Sequence, residues 1–404
     1  MDNLGINVDN CGLYVHVPFC DSRCWYCDFY LETGWSPEVL KKYVDRVHEE
    51  WEDRKGLFDR FVFTSLYFGG GTPSVLPAEV FGKLIGGLKP PGGSWRDIEL
   101  EANPETLDQS RLEAWSQGGV TRLSLGIQSL QAPLLKTLGR GAQPEQVVGA
   151  LSLMQKYWRG SWSADFITGI PGQTPDILSE DLERVLEYAP GHVSLYSLSI
   201  ENKTALNSLK QRGKFAPLGE DAHALLFETG AELLMKRGYE AYEVSNFALP
   251  GERSRHNLLY WQGRPYLGLG PGAHSTLPNG EGAIRSVNPH LFAWLSKGAI
   301  IREKELLSPQ TLAYERLMTG LRTSEGVTFE HLGPPGVWKG PEQGDQFWYD
   351  RAQEGWFDLD LLPNQLVVPW SRRQVLHPLL VKILERTDLD SVSKAKELDL
   401  KEQS

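Results

Sequence analysis

The feature that most constrains the fold is an alternation of short apolar runs with longer amphipathic stretches between residues 12 and 240 of this 404-residue chain. The apolar runs predict six strands, at 13–17, 61–68, 98–102, 122–127, 164–168 and 192–198. The amphipathic stretches predict helices at 37–52, 77–88, 107–117, 130–157, 176–188 and 219–237. Strands that alternate with helices favour parallel pairing, so the sequence predicts an α/β fold, an open barrel of six strand-helix units.

The pattern changes after residue 240, and we expect residues 1–240 to form the core. Residues 241–306, with Gly-rich turns and several aromatic residues, are predicted to be an extension of it. Ser308 predicts the N-cap of a helix over 309–321. A Gly/Pro-rich loop at 332–344, a helix, two short strands within 356–369 and a helix near 372–385 follow. We therefore expect 307–385 to be a small, mostly helical α+β domain and 386–404 to be a charged, frayed tail.

Composition limits the classes of partner. The formal net charge of −11 does not support a large basic surface for nucleic acid. No run of 18 apolar residues predicts a membrane-spanning helix, and the first residues lack the pattern of a secretory signal. Cysteine is scarce outside one loop, which suits a reducing compartment. We expect a cytoplasmic protein with no nucleic-acid partner and no stable membrane insertion.

Three of the four cysteines, Cys20, Cys24 and Cys27, are spaced C-x3-C-x2-C directly after the first predicted strand. They can converge on one inorganic centre but cannot pair off completely as disulfides, and their spacing differs from that of structural zinc sites. Three ligands would leave one iron of a [4Fe–4S] cube open to a small molecule. Cys11 is expected about 20 Å away, at the other end of its strand, as a free thiol.

Other candidate residues lie at the ends of predicted strands, where barrels of this kind place their chemistry. Consecutive glycines in 69–73 let the backbone approach a ligand closely, although such a segment is also an ordinary tight turn. It lacks the Lys-Ser/Thr ending of a phosphate-binding loop. Judged from the residues alone, Glu101 and Asp165 could equally be solvated strand-end residues and Arg140 a charge on a helix surface.

Seven segments, at 14–29, 69–73, 101–105, 122–129, 138–140, 165–174 and 194–201, occur in the order typical of one family. Together they resemble the oxygen-independent coproporphyrinogen III oxidase family of radical-SAM proteins, over roughly residues 12–385. The resemblance implies a partial (β/α)6 radical-SAM barrel. It also implies a [4Fe–4S] cluster whose open iron binds the amino and carboxylate groups of S-adenosylmethionine (SAM).

Carried over by position, the resemblance implies that Cys20, Cys24 and Cys27 hold the cluster. The residues it implies for SAM are Tyr14, Tyr26, Gly70, Gly71, Thr72, Glu101, Gln128, Arg140 and Asp165. Carboxylates can accept hydrogen bonds from ribose hydroxyls, and an arginine can clamp a carboxylate. Family members usually read Gly-Arg-x-His at 139–142, but this chain has Ala142, so no role of that histidine carries over.

Two features distinguish groups within the family. The coproporphyrinogen dehydrogenases have a fourth cysteine two residues after the third and an N-terminal extension, whereas this chain has Phe29 at that position and reaches Cys20 early. In both respects the chain resembles the shorter members of the family, the HemW-like heme chaperones. The segment from His256 to Trp261 fits H-N-x-x-Y-W, which is associated with heme in those proteins. A neutral imidazole can ligate heme iron, and Tyr260 and Trp261 offer flat surfaces to a porphyrin.

The resemblance therefore implies a heme chaperone that binds heme, a [4Fe–4S] cluster and SAM, and transfers heme to apo-hemoproteins such as those of the respiratory chain. His256 could instead be structural, His274 could compete for the iron, and the homodimeric state stays open. The alternative is a coproporphyrinogen III dehydrogenase that uses a 5′-deoxyadenosyl radical from SAM. A radical-SAM enzyme acting on RNA or peptide fits the N-terminal motifs but not the segments at 239–288.

Overall fold

The structure is a computed structural model that describes residues 10–58, 61–91, 93–332, 346–358, 360–362 and 364–386. Its strands are β1 Asn10–Val17, β2 Val62–Gly70, β3 Asp97–Ala102, β4 Arg122–Gln128, β5 Ser161–Thr168, β6 His192–Ser197, β7 Glu240–Ala241, β8 Asn246–Ala248, β9 Tyr266–Leu269, β10 His274–Asn279, β11 Gly282–Val287, β12 Glu303–Leu307, β13 Val327–Thr328 and β14 Gln365–Leu366. Its helices are α1 Pro37–Arg54, α2 Ala78–Gly86, α3 Gln109–Gln117, α4 Ala132–Thr137, α5 Pro144–Tyr157, α6 Pro175–Leu186, α7 Ala205–Gln211, α8 Glu220–Lys236, α9 Arg255–Trp261, α10 Leu291–Trp294, α11 Pro309–Gly320, α12 Gln346–Gln353, α13 Trp370–Arg373 and α14 His377–Arg386.

Six parallel strands, β1 to β6, lie side by side in sequence order and confirm the predicted α/β fold with its open arrangement of strand-helix units. Alternate residues of each strand point to opposite faces. On β1, Leu13 and Val15 are fully buried in the core that includes Tyr43 and Trp51 of α1. Tyr14 and His16 belong to the other face, which lines the interior of the barrel and carries polar groups.

Residues 241–306 extend the same sheet at both of its edges. β9 pairs in parallel with β1 and continues into β10, β11 and β12, whereas β8 pairs antiparallel with β6 and is followed by β7. Helix α9 lies in the segment between β8 and β9 and contacts β1, β2 and β3. The predicted extension therefore continues the open sheet of the core instead of standing apart from it.

The single helix predicted over 130–157 is wrong, because the structure has two helices there, α4 and α5. Gly139 adopts φ +65°, which favours glycine, and Pro144 starts the second helix. The segment between the two helices returns to the mouth of the barrel. This break brings Arg140 to the cysteine loop.

The C-terminal residues form a second small core around Leu317, Trp348 and Leu380. Ser308 caps α11 as predicted, because its side chain accepts the Thr311 N–H at 3.1 Å. The hairpin predicted within 356–369 is wrong: in the described part of that segment the one strand is β14, and it pairs with β13. The chain before β14 forms turns, in which the Leu361 N–H bonds to the Asp358 carbonyl.

Two of the predictions for this half of the chain fall largely outside the described residues. They are the Gly/Pro-rich loop at 332–344 and the tail at 386–404.

Trp370 of α13 packs on Phe227 and Phe247 of the barrel, and Arg373 donates to the Ala241 carbonyl at 3.1 Å. Within the described ranges, no helix combines the length and apolar character needed to cross a membrane.

Candidate functional site

The cysteine loop leaves the end of β1 and is closed by backbone hydrogen bonds. The Glu32 N–H donates to the Pro18 carbonyl at 2.7 Å, and the Cys20 N–H donates to the Glu32 carbonyl at 3.0 Å. The end of β2 holds the loop from the other side, where the Gly71 N–H donates to the Val17 carbonyl at 2.8 Å. A Cβ on Gly71 would lie 2.7 Å from the Pro18 carbonyl carbon, so this close approach requires glycine.

The three loop cysteines are free thiols. Cys20 is buried, and its Sγ lies 3.2 Å from Thr72 Oγ1, whereas Cys24 and Cys27 are half-buried. Burial, together with the charges of Cys27 and Cys24, raises the pKa of the Cys20 thiol to about 11, although Thr72 and Arg140 lower it. In the described chain no three His, Cys, Asp or Glu side chains converge on a single ion. A cube binds each cysteine at a separate iron, so this donor set fits a [4Fe–4S] cluster.

The glycine segment brings backbone groups and a buried carboxylate to the same mouth. Gly70 has φ +110°, and its N–H donates to Glu101 Oε2 at 3.1 Å, while Tyr67 Oη donates to Oε1 at 2.8 Å. Burial raises the pKa of Glu101 to about 7, although these two hydrogen bonds lower it. A carboxylate held in this way has little water around it and is poised to accept from a ligand hydroxyl or ammonium.

Arg140 joins the cysteine loop to the ends of β3 and β4. Its Nη2 donates to Asn103 Oδ1 at 2.7 Å and to the Gly126 carbonyl at 2.8 Å, and its Nη1 lies 3.6 Å from Cys24 Sγ. Gln128 ends β4 with φ +65°, next to a shift in the β4–β5 register. The structure thus places Arg140 inside the mouth rather than on a helix surface.

Asp165 lies on the inward face of β5 and accepts hydrogen bonds from serines. Ser124 Oγ donates to its Oδ2 at 2.6 Å, and Ser163 Oγ donates to its Oδ1 at 2.8 Å. Burial raises the pKa of Asp165, and the charge of Asp165 in turn raises that of Glu101. Asp165 and Glu101 are therefore two buried carboxyl groups that influence each other's ionisation.

The two predicted tyrosines have different neighbours. Tyr14 stacks on Tyr67 with ring centroids 6.1 Å apart, and Tyr26 packs beside α4 and α7 close to Cys24 and Arg140. Leftover Cys11 is fully buried at the start of β1 as a free thiol, in agreement with its prediction.

His16 was not identified from the sequence, although it lies in the middle of the site. Its Nε2 donates to the Tyr30 carbonyl at 2.9 Å, so Nδ1 must accept from Tyr14 Oη at 2.9 Å. Burial lowers the pKa of His16 to about 4. A Cβ on Gly70 would lie 2.3 Å from the His16 ring, so the imidazole shapes the glycine turn. The available signal was its spacing of two from Tyr14 on a strand, which puts both on one face.

The H-N-x-x-Y-W segment forms helix α9 inside the barrel. His256 is buried, its Nδ1 lies 2.8 Å from Ser65 Oγ, and its Nε2 lies 3.0 Å from Tyr260 Oη. Its ring stacks on Tyr67 with centroids 4.9 Å apart, and burial lowers its pKa to about 3. The structure therefore brings His256 and Tyr260 next to the SAM candidates.

A cavity of about 180 Å³ opens above this helix. It is lined by Tyr14, Phe29, Tyr67, Gly70, Glu101, His256, Asn257 and Tyr260. Phe29 stands at its rim with 70 % of its surface exposed. Trp261 lies outside this lining, and His274 is exposed at the start of β10. The cavity thus combines aromatic faces with one buried carboxyl group.

The chain is similar in sequence to several known proteins. The family profile of the Radical SAM superfamily matches residues 14–185. The heme chaperone HemW of Synechocystis sp. is 36% identical, over 82% of this chain and 82% of that protein. HemW of Lactococcus lactis is 34% identical, over 78% and 83%. The mitochondrial radical S-adenosyl methionine domain-containing protein 1 of Danio rerio is 32% identical, over 82% and 77%.

A solved structure with the same fold is coproporphyrinogen III oxidase (HemN) from Escherichia coli. It superposes with a TM-score of 0.73 at 19% identity, over 93% of this chain and 90% of that one. At this identity the similarity establishes the fold.

Proposed function

Because this chain belongs to the HemW family of heme chaperones within the radical-SAM superfamily, we propose that it binds heme and transfers it to apo-hemoproteins, such as respiratory proteins. The same scaffold would hold a [4Fe–4S] cluster and SAM. In this proposal the barrel serves to hold and release a ligand, and no net chemical change of the heme is required.

The observation that carries the proposal is Phe29 at the rim of the cavity. It occupies the position where the dehydrogenases of the wider family have a fourth cysteine, and it exposes 70 % of its surface. An exposed phenylalanine costs solvation free energy unless something covers it. Together with Tyr14, Tyr67 and Tyr260, it offers flat apolar faces of the kind that contact a porphyrin.

The proposed cofactor sites lie in the mouth of the barrel. Cys20, Cys24 and Cys27 would hold the cluster, which when bound supplies an iron with an open coordination position for SAM. The backbone at Gly70 and Gly71, together with Thr72, would lie against the methionine part of SAM. Of the remaining SAM candidates, Tyr14, Tyr26, Gln128 and Arg140 would border its adenosine and carboxylate, while Glu101 and Asp165 would accept from its hydroxyl or amino groups.

For the heme iron, His256 is the ligand predicted from the sequence, with Tyr260 and Trp261 beside it. Burial keeps His256 neutral, which is the form that ligates iron. Both of its ring nitrogens have hydrogen-bond partners in this structure, so ligation through Nε2 would replace the bond to Tyr260. Heme binding at this residue therefore requires a local movement of Tyr260.

The first test is an anaerobic hemin titration of the cluster-loaded, SAM-free protein, followed by the Soret absorbance. We expect a saturable signal at one heme per chain that weakens about tenfold or more in His256→Ala, because loss of an axial ligand removes the strongest single contact. His48→Ala is the matched control, since His48 lies on α1 and bonds to the Leu84 carbonyl outside the barrel.

Weak, unsaturable hemin uptake by the wild-type protein would contradict the carrier proposal. Normal saturation in His256→Ala would keep the carrier and remove His256 as its ligand. The competing function, coproporphyrinogen III dehydrogenation, predicts SAM cleavage that depends on added coproporphyrinogen. That turnover is measured on the same preparation.

A further inference from the structure

A buried histidine lies below each of the two carboxyl groups in the barrel, one layer further from the mouth. Ser163 gives its hydroxyl hydrogen to Asp165, so His192 Nδ1, 2.8 Å from the Ser163 oxygen, must be the donor in that contact. His192 Nε2 is then the acceptor, and Tyr242 Oη donates to it at 2.9 Å. A directed chain of hydrogen bonds therefore runs from Tyr242 through His192 and Ser163 to Asp165.

The second histidine, His256, supports Glu101 through Tyr67. The His256 and Tyr67 rings are stacked at 24°, and the Tyr67 hydroxyl is one of the two donors to Glu101. Contacts of Ser65 and Tyr260 with its two nitrogens fix the imidazole on both sides. Removing this ring would take away one of the rings that pack on Tyr67, the other being Tyr14.

The two histidines share their environment. Each is buried, and each has one ring nitrogen hydrogen-bonded to a serine of the barrel wall and the other hydrogen-bonded to a tyrosine. Both tyrosines, Tyr242 and Tyr260, come from the segment that follows the six-strand core. Helix α9 is also fixed to β3, because Ser254 Oγ donates to both oxygens of Glu99, at 2.9 and 3.0 Å.

From this geometry we infer that His192 and His256 are positioning residues, which hold Asp165 and Glu101 in the orientation that SAM requires. The inference rests on the SAM site proposed above, and it gives the segment after residue 240 a role in SAM binding that is separate from heme. Neither histidine needs to touch SAM, since each acts through one intervening side chain.

The test is the dissociation constant for SAM, measured by anaerobic equilibrium dialysis on cluster-loaded variants. His192→Leu and His256→Leu remove the ring nitrogens, and we expect about tenfold weaker SAM binding in each, because Ser163 and Tyr67, which donate to the two carboxyl groups, lose the ring that orients them. His192→Asn keeps a donor near Nδ1, and His256→Gln keeps a flat amide against Tyr67. These two variants should bind SAM within about threefold of wild type. His48→Leu is the control.

The same preparations separate a positioning role from a merely structural one. Cluster absorbance and the thermal midpoint report folding, and hemin saturation of His192→Leu should equal that of wild type because His192 is no heme candidate. If His192→Leu does not fold, Tyr242→Phe takes its place and should weaken SAM binding about threefold.

Wild-type SAM affinity in the leucine variants, or in Tyr242→Phe, would overturn the inference. So would an equal loss in the leucine variants and their conservative counterparts. Failure of hemin to saturate the wild-type protein would instead contradict the proposed heme carrier. The SAM dissociation constants of the variants would still decide whether the two histidines position the carboxyl groups.

Discussion

At the residue scale, Gly71 packs directly against the backbone of the cysteine loop. An added Cβ there would meet backbone atoms of Pro18 and Val17 at 2.7 to 2.8 Å, and backbone cannot rotate away as a long side chain can. The glycine therefore sets the distance between the end of β2 and the loop that carries Cys20.

Gly71→Ala should lower the free energy of unfolding by about 1–3 kcal/mol, the usual cost of overpacking a rigid site. It should also reduce cluster loading, because the loop must move to admit the methyl group. Gly82→Ala is the control: it lies on α2 with open space around its Cβ position, and alanine there should stabilise the protein by about 0.5–1 kcal/mol. Urea unfolding and cluster absorbance measure both effects, and equal stability of the two variants would contradict the packing argument.

The residues predicted from the sequence and the residues that were missed differ in one physical respect. Cys20, Cys24, Cys27 and the glycines are recognisable because their chemistry is unusual at their spacing. His16 and Ser163 are ordinary residues whose importance depends on which strand faces which, and sequence spacing does not give the register between strands. Only the assembled barrel puts His16 on Gly70 and Ser163 between His192 and Asp165.

At the element scale, helix α9 depends on one serine for both its start and its attachment. Ser254 caps the helix by accepting the Asn257 N–H at 3.2 Å, and the same hydroxyl donates to the buried Glu99 carboxylate. Burial raises the pKa of Glu99 to about 7, and the Ser254 hydroxyl stabilises its charge together with Arg122 and the His256 backbone.

Ser254→Ala should therefore cost about 2–3 kcal/mol of unfolding free energy, since it removes a cap and a donor to a buried carboxylate. Ser308→Ala removes a comparable cap from α11, where no buried carboxylate is involved, and should cost about 1 kcal/mol. The difference between the two variants in urea unfolding isolates the Glu99 contact. If Ser254→Ala lowers the unfolding free energy no more than Ser308→Ala does, the hydrogen bond from Ser254 to Glu99 contributes nothing to stability.

Elements differ in how far the sequence predicts them. The six core strands were predicted with bounds close to those observed, because buried parallel strands are continuous apolar runs bounded by turns. The helix over 130–157 was not, because its amphipathic pattern continues through Gly139 and conceals the change of direction there. A glycine within a helical pattern does not by itself tell whether the helix stops.

At the scale of the whole molecule, the segment after residue 240 was the hardest to predict. Its strands pair with β1 and β6, which are far away in sequence, and periodicity carries no information about such partners.

The stability of the whole molecule should have a pH dependence that follows from its buried titratable groups. Burial raises the pKa of Glu99, Glu101 and Glu243 to about 7, and lowers the pKa of His16 to about 4.

The signs of these shifts give a defined pH window. The folded carboxyl groups bind more protons than the unfolded ones between their ordinary pKa and about 7, so they make stability fall as pH rises. The buried histidines have the opposite effect, which fades over about one pH unit above their ordinary pKa of 6.5. Between pH 6.5 and 8 the carboxyl groups therefore outweigh the histidines.

SAM-free protein should therefore lose about 1 kcal/mol of unfolding free energy between pH 6.5 and 8, because about 2 kcal/mol from the three carboxyl groups outweighs about 1 kcal/mol of opposite sign from the histidines. Glu243→Gln should remove roughly a third of the carboxyl contribution. Urea unfolding at half-unit pH steps measures the slope, and a stability that rises over this interval would contradict the assignment of the raised pKa values.

The connection between β8 and β9 has a consequence for the order of events during synthesis. A growing chain that has emerged from the ribosome through residue 240 already contains all three cluster cysteines and the six core strands. It still lacks Tyr242, Ser254, His256 and Tyr260, and therefore the inner layer beneath the two carboxyl groups. Iron and sulfide delivered at that stage would meet a site whose far side is open to water. The cluster is therefore best protected when it is inserted after release of the finished chain.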